Sequence, residues 1–93
     1  MALESTDPAL RVWAIVQAAE RGDESAVPLL VDRLEDEDEG VRFYAILALD
    51  RLTGTRLGYR YGASEGERCT SVDRWRRFLA ESRRGGPASA VLE

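Results

Sequence analysis

The stretch EGVRFYAILALDRLTG, residues 39–54, constrains this chain more than any other. Its central run, Phe43 to Leu49, is apolar all the way round a helix, yet it is far shorter than the ~20 residues that a membrane crossing needs. With residues about 100° apart and Arg42 at 0°, Val41, Ala45, Ala48, Leu49 and Leu52 fall between about 240° and 340°. Phe43, Ile46 and Leu47 fall between about 40° and 140°, on the opposite side. A helix on the surface of a small protein keeps one face wet. This one offers two oily flanks, so it needs a neighbour on each.

The same arrangement occurs a second time. DPALRVWAIVQ, from Asp7, aligns with DEGVRFYAILA, from Asp38, at an offset of 31 residues. Asp7 matches Asp38, Arg11 matches Arg42, Ala14 matches Ala45 and Ile15 matches Ile46; Val12/Phe43, Trp13/Tyr44 and Val16/Leu47 keep their apolar or aromatic character. A weaker match sets Ala26-Val27-Pro28-Leu29-Leu30 against Ser71-Val72-Asp73-Arg74-Trp75. A fixed internal offset is the mark of a repeat architecture, in which small residues let successive helices approach closely.

Turn chemistry divides the chain. Asp7-Pro8 is an N-cap with proline in the first turn, and Gly22-Asp23 ends the helix that follows. A second helix is predicted from Glu24-Ser25 to Glu35, buried along Val27, Leu30, Val31 and Leu34. The acidic run Glu35 to Glu39 forms a solvated turn that caps the third helix, which stops at Thr53-Gly54. Five adjacent acids without the alternation and glycine of a calcium loop are not expected to hold a metal. Residues 54–68 carry four glycines and read as a long connection, and a last helix is predicted over Cys69–Ser82. Residues 1–6 and 83–93 are expected to be tails flanking one helical domain, 7–82.

Composition narrows the chemistry. The chain of 93 residues has no histidine, no lysine, 13 arginines and one cysteine, Cys69. Imidazole bases, Schiff-base lysines and phosphate-loop lysines are therefore absent, so no enzyme activity and no cofactor are expected. The lone thiol and the lack of a basic amino-terminal leader point to the cytoplasm. The net charge of −4 conceals a polarity, since residues 1–50 carry −8 and residues 51–93 carry +4. Arg74, Arg76, Arg77, Arg83 and Arg84 could serve a phosphate backbone, but Asp73 and Glu81 lie at helical spacing to pair with them, and nucleic acid is not the expected partner.

The residues AVPLLVDRLEDEDEGVR–YA–LALDRL, from Ala26 to Leu52, resemble a HEAT repeat of the short bacterial kind called PBS-lyase HEAT-like. They carry a helix with A-x-P-x-L, an acidic turn, then V-R-x-x-A-x-x-A-L. The ending, LTG–x–x–x–GY followed by V–x–R–W–x–x–x–L, is similar to carboxy-terminal caps of such proteins. The resemblance implies an all-α, right-handed HEAT-like superhelix of about one and a half repeats with a long loop and a carboxy-terminal capping helix, where most such stacks need three repeats or more. It also implies a scaffold or adaptor that binds another protein, or a second copy of itself, on its concave face. An accessory factor binding a tetrapyrrole in the same groove is the rival reading.

In that resemblance the arc holding Val12, Val16, Phe43 and Leu47 lines the concave surface. Leaving 300–400 Å² of it wet would forgo about 8–10 kcal/mol, so something covers it. The chain's own loop and last helix, with Leu57, Tyr59, Tyr61 and Trp75, are the expected cover; a second copy and a different protein are the alternatives. Tyr59 and Tyr61 are thus read as packing rather than as a ligand platform. Contact residues are expected at Val12, Trp13, Val16, Phe43, Tyr44 and Leu47, with Arg76 and Arg77 as charged rim. Arg11 and Arg42 are expected to be structural, reaching the acidic turns at Asp7 or Asp38, and Trp75 to anchor the last helix.

Overall fold

The computed structural model describes residue 3 and residues 5–83. Among them are α1 (Pro8–Arg21), a 3₁₀ turn (Glu24–Ala26), α2 (Val27–Arg33), α3 (Glu39–Thr53) and α4 (Glu65–Arg83), with no strand. The ends of α1 and α3 are set locally. Asp7 Oδ1 accepts from the Ala9 amide at 3.0 Å, and Asp38 Oδ1 accepts from the Val41 amide at 3.0 Å. Gly22 and Gly54 close the two helices in the left-handed conformation, at φ 64° and 82°. The second helix is shorter than its apolar stripe suggests. The amides of Leu34, Glu35 and Asp36 bond three residues back, to Val31, Asp32 and Arg33, and this tightening ends α2 before Glu35.

The last helix begins at Glu65, four residues before the expected Cys69. Ser64 and Glu67 form a reciprocal capping box: the Glu67 amide donates to Ser64 Oγ at 3.2 Å and the Ser64 amide to Glu67 Oε1 at 3.3 Å. Of the tail expected from Arg83 onward, Arg83 completes α4 and residues 84–93 lie outside the described residues. At the other end, Leu3 is buried and the Ser5 carbonyl accepts from Arg11 Nη1 at 2.6 Å, so the segment expected as a tail is tied to the core.

α3 packs against both α1 and α2, and α4 packs against α2. Two layers result, α1 with α3 and α2 with α4. The weaker repeat match has a physical basis, because Ala26 and Ser71, Val27 and Val72, and Leu30 and Trp75 are all buried in equivalent positions of the outer pair. This arrangement accounts for the two oily flanks of α3. Ala48 lines a cleft with Ile15, Val16 and Ala19 of α1, and Leu47 reaches the same cleft from the opposite arc. On the other flank Ile46 sits beneath Tyr59 and Tyr61, and the Phe43 and Tyr61 rings meet edge to face with centroids 5.0 Å apart. The loop is therefore a cover, as expected, but α4 is not: it continues the outer layer beside α2 rather than crossing α1 and α3. Buried Val72 and Trp75 seat it there, and on the surface Arg76 reaches Glu35 at 2.9 Å and Asp32 at 3.3 Å.

The loop is built to cap. Trp75, fully buried, donates from Nε1 to the Arg56 carbonyl at 3.0 Å, and Arg74 Nη1 donates to the Leu57 carbonyl at 2.6 Å rather than pairing within its own helix. Leu57 and Gly58 both turn with positive φ, 51° and 77°. The positive φ of residue 58 favours glycine, and a Cβ there would lie 2.7 Å from Arg74 Nη1 and displace the guanidinium from the Leu57 carbonyl. Beyond that turn Tyr59 is buried and its hydroxyl donates to the Leu34 carbonyl at 2.6 Å, fastening the loop to the end of α2.

Beneath the loop lies a buried polar cluster. Arg11 does not reach Asp7 or Asp38, whose carboxylates cap their own helices. It turns to Asp36, with Nη2 donating to Oδ1 at 3.0 Å and Nε 2.8 Å from Oδ2, close in charge but not aligned as a hydrogen bond. Asp36 also takes Arg33 Nη1 at 3.2 Å and the Asp38 amide at 2.9 Å, so it is a buried keystone and not part of a solvated turn. Arg42, at the same repeat position as Arg11, donates to the carbonyls of Asp36, Glu37 and Tyr61. Removing one partner of a buried pair strands the other's charge. Asp36→Ala is therefore expected to lower stability by about 3–5 kcal/mol, most of what a domain of this size has, with urea unfolding as the measurement.

Burial pushes the Tyr59 phenol above its ordinary value of 10.0; Arg42 and then Arg68 pull against that shift and Glu35 adds to it. The folded chain thus holds this proton more tightly than the unfolded one. Its contribution is complete below pH 10.0 and is lost as pH rises through the folded-state value. Tyr59→Phe is expected to cost about 1–3 kcal/mol near neutral pH, by leaving the Leu34 carbonyl unpaired. It should also remove this part of the alkaline destabilisation, read from melting temperatures at pH 8 and above 10.

Candidate functional site

The α1–α3 layer has an outer surface whose residues repeat every 31 positions. On the wheel used above, Val16 and Leu47 stand at about 140°, Glu20 and Arg51 at about 180°, and Trp13 and Tyr44 at about 200°. The open surface is therefore rotated away from the 40–140° arc expected to line it. That arc is a lateral one: Ile15 and Ile46 are each only 1% exposed, while Val12, Val16, Phe43 and Leu47 are half-buried.

Between α1 and α3 runs a cleft of about 140 Å³. Val16 and Tyr44 with Leu47 form its walls, and Ile15, Ala19 and Ala48 form its floor. The two alanines leave a furrow where larger side chains would interlock. Glu20 and Arg51, equivalent in the repeat, bring opposite charges to it. Tyr44 is 39% exposed and is braced edge to face against Phe43 at 5.1 Å.

The residues expected to make contacts divide into four groups. Val16, Tyr44 and Leu47 come together in the cleft. Trp13, 56% exposed, lies on the rim of a second cleft of about 200 Å³ with Leu3, Ala14, Gln17 and Leu29. Val12 and Phe43 serve the lateral packing. Arg76 and Arg77 do not rim the α1–α3 surface: α4 belongs to the other layer, Arg76 is bound to Asp32 and Glu35, and Arg77 is exposed there. The cleft also takes in Ile15 and Ala19, which share the arc of Val16, and three residues that sequence reasoning missed, Glu20, Ala48 and Arg51. Glu20 and Arg51 stand four residues beyond Val16 and Leu47, and that helical spacing was their signal. Among the described residues no group of His, Cys, Asp and Glu is arranged to hold a metal, and Cys69 is exposed.

Two layers of helices, inner ones repeating at one offset and outer ones at another, define a fragment of an α-solenoid. The family model for HEAT repeats matches residues 1–58, more than half of the chain, and the chain belongs to the HEAT repeat family. HEAT repeats generally mediate protein–protein interaction. No curated protein and no solved structure matches the chain. No helix among the described residues is long and apolar enough to cross a membrane.

Exposure and burial two residues apart on α3 give a direct test. Tyr44→Ala should change stability by no more than about 1 kcal/mol, whereas Ile46→Ala should cost about 2–5 kcal/mol. Denaturant midpoints of the two variants check the difference.

Proposed function

We propose that this chain is a non-enzymatic protein-interaction module that receives a partner segment in the α1–α3 cleft. The observation that carries the reading is the half-exposed Tyr44 beside Val16 and Leu47, above a floor of Ala19 and Ala48 and flanked by Glu20 and Arg51. Aromatics beside a small apolar furrow are frequent anchors of protein interfaces. A sequence without histidine or lysine supports a binding role over catalysis. The α1–α3 cleft, about 140 Å³, falls short of the roughly 300–1,000 Å³ that encloses a small ligand, which favours a protein partner over a tetrapyrrole in that groove. Engagement of Arg76 by two carboxylates weighs against a phosphate-binding role for α4. The V-R-x-x-A-x-x-A-L pattern from Val41 supports the short bacterial subtype, and the single thiol supports a cytoplasmic setting.

Affinity capture with the whole chain tests the proposal. Tyr44→Glu should reduce retention of the captured partner by about tenfold, while Arg77→Glu on the opposite layer leaves it unchanged, with circular dichroism confirming that both variants fold. Equal retention by Tyr44→Glu would overturn the assignment to this cleft. A change of solution mass from dimer to monomer in that variant would identify the partner as a second copy.

A further inference from the structure

The amino-terminal edge of the stack carries a second apolar surface, distinct from the α1–α3 cleft. The 31-residue correspondence shows what is unusual about it. On α3 the flank Val41, Ala45 and Ala48 is covered, with exposures of 0%, 0% and 3%. The equivalent flank of α1 is Leu10, Ala14 and Gln17. Leu10 is 49% exposed, its neighbour Trp13 is 56% exposed, and Ala14 and Gln17 are half-buried. Only Leu3 and the start of the outer layer, Ala26 and Leu29, approach this flank among the described residues, leaving the 200 Å³ cleft noted above.

The repeat also indicates what fits there. α3 lies against the other flank of α1, a stripe reading V-x-x-I-V-x-x-A over Val12, Ile15, Val16 and Ala19. Because the open flank of α1 is the counterpart of the covered flank of α3, its complement is a helix with branched or small apolar residues at i, i+3, i+4 and i+7. A second copy of the chain offers no such stripe: that of α1 packs against its own α3, and the equivalent positions of α3, Phe43, Ile46, Leu47 and Asp50, end in a carboxylate and lie partly under Tyr61. Charge adds a further requirement. Asp7 precedes the flank and Asp23 and Glu24 follow it, with Arg21 as the cation in the cleft, so both ends favour basic residues.

We propose that the amino-terminal edge of α1 docks an amphipathic helix of a different protein, with that apolar stripe and basic ends, in the manner of one more turn of the stack. Titration of the whole chain with a synthetic peptide tests this. The peptide carries V-x-x-I-V-x-x-A twice, with Gln and Ala between and Arg at both ends, and a fluorescent label for anisotropy. Trp13 is exposed and Trp75 is fully buried, so intrinsic emission should shift to the blue on binding. Trp13→Phe should abolish that shift while anisotropy still reports a complex. Affinity should fall about tenfold in Leu10→Gln/Trp13→Gln and for a peptide with Glu ends, and stay within twofold in Tyr44→Glu, which separates this site from the α1–α3 cleft. Circular dichroism guards against loss of fold. The proposal is overturned by equal binding of a scrambled peptide, by an absent emission shift, or by a loss in Tyr44→Glu as large as in the edge variant. A dimer in the absence of peptide that the edge variant dissociates would overturn it in favour of a second copy.

Discussion

A single helix with two water-avoiding flanks organises this protein. α3 is hydrophobic on both sides, and the structure satisfies it with α1 on one flank and a tyrosine-bearing loop on the other, while α2 lies beneath. Each neighbour then takes its own position from that requirement. α1 is set one repeat away, α2 crosses to the outer layer, and α4 joins α2 because the inner layer is already closed by the loop. In a chain of 93 residues no spare core exists elsewhere. Loss of either cover would leave several kcal/mol of apolar surface in water, comparable with the whole stability of such a domain.

Charge complements this oily framework. Arg11 and Arg42 stand at the same place in successive repeats, and both turn toward the connection between α2 and α3, one to the Asp36 carboxylate and one to main-chain carbonyls. Taking these charges out of water carries a penalty that the pairing must offset, so their value lies less in net stability than in fixing register. A repeat shifted by one residue would leave a guanidinium buried without acceptors. The same turn also holds the Tyr61 carbonyl through Arg42, so inner helices, turn and cap are joined through a few side chains.

The two ends of the stack differ. At the carboxy-terminal side Tyr59 and Tyr61 seal the flank of α3, fastened by Trp75, Arg74 and the Leu34 carbonyl. At the amino-terminal side Leu10 and Trp13 stand in the open. Self-stacking in a continuing series is thereby blocked at the loop side.

The inner helices α1 and α3 and their ends were legible in the sequence because their causes are local. Asp7, Gly22, Asp38 and Gly54 act within a turn of where they stand, and the 31-residue echo needs only side chains repeating in order. The Ser64–Glu67 box was equally local and was overlooked beneath the glycines around it. Which flank meets which neighbour was a different kind of question. Wheel angles place Val12, Ile46 and Phe43 on one arc, but only the packed structure decides that the arc is lateral and that the open surface lies at Trp13, Glu20, Tyr44 and Arg51. Likewise the sequence set a carboxylate beside each arginine, and the fold alone chose Asp36 over Asp7 and Asp38. Hydrophobic periodicity specifies that a face must be buried, whereas the identity of its cover depends on contacts between residues distant in the chain, where geometry and competing partners decide.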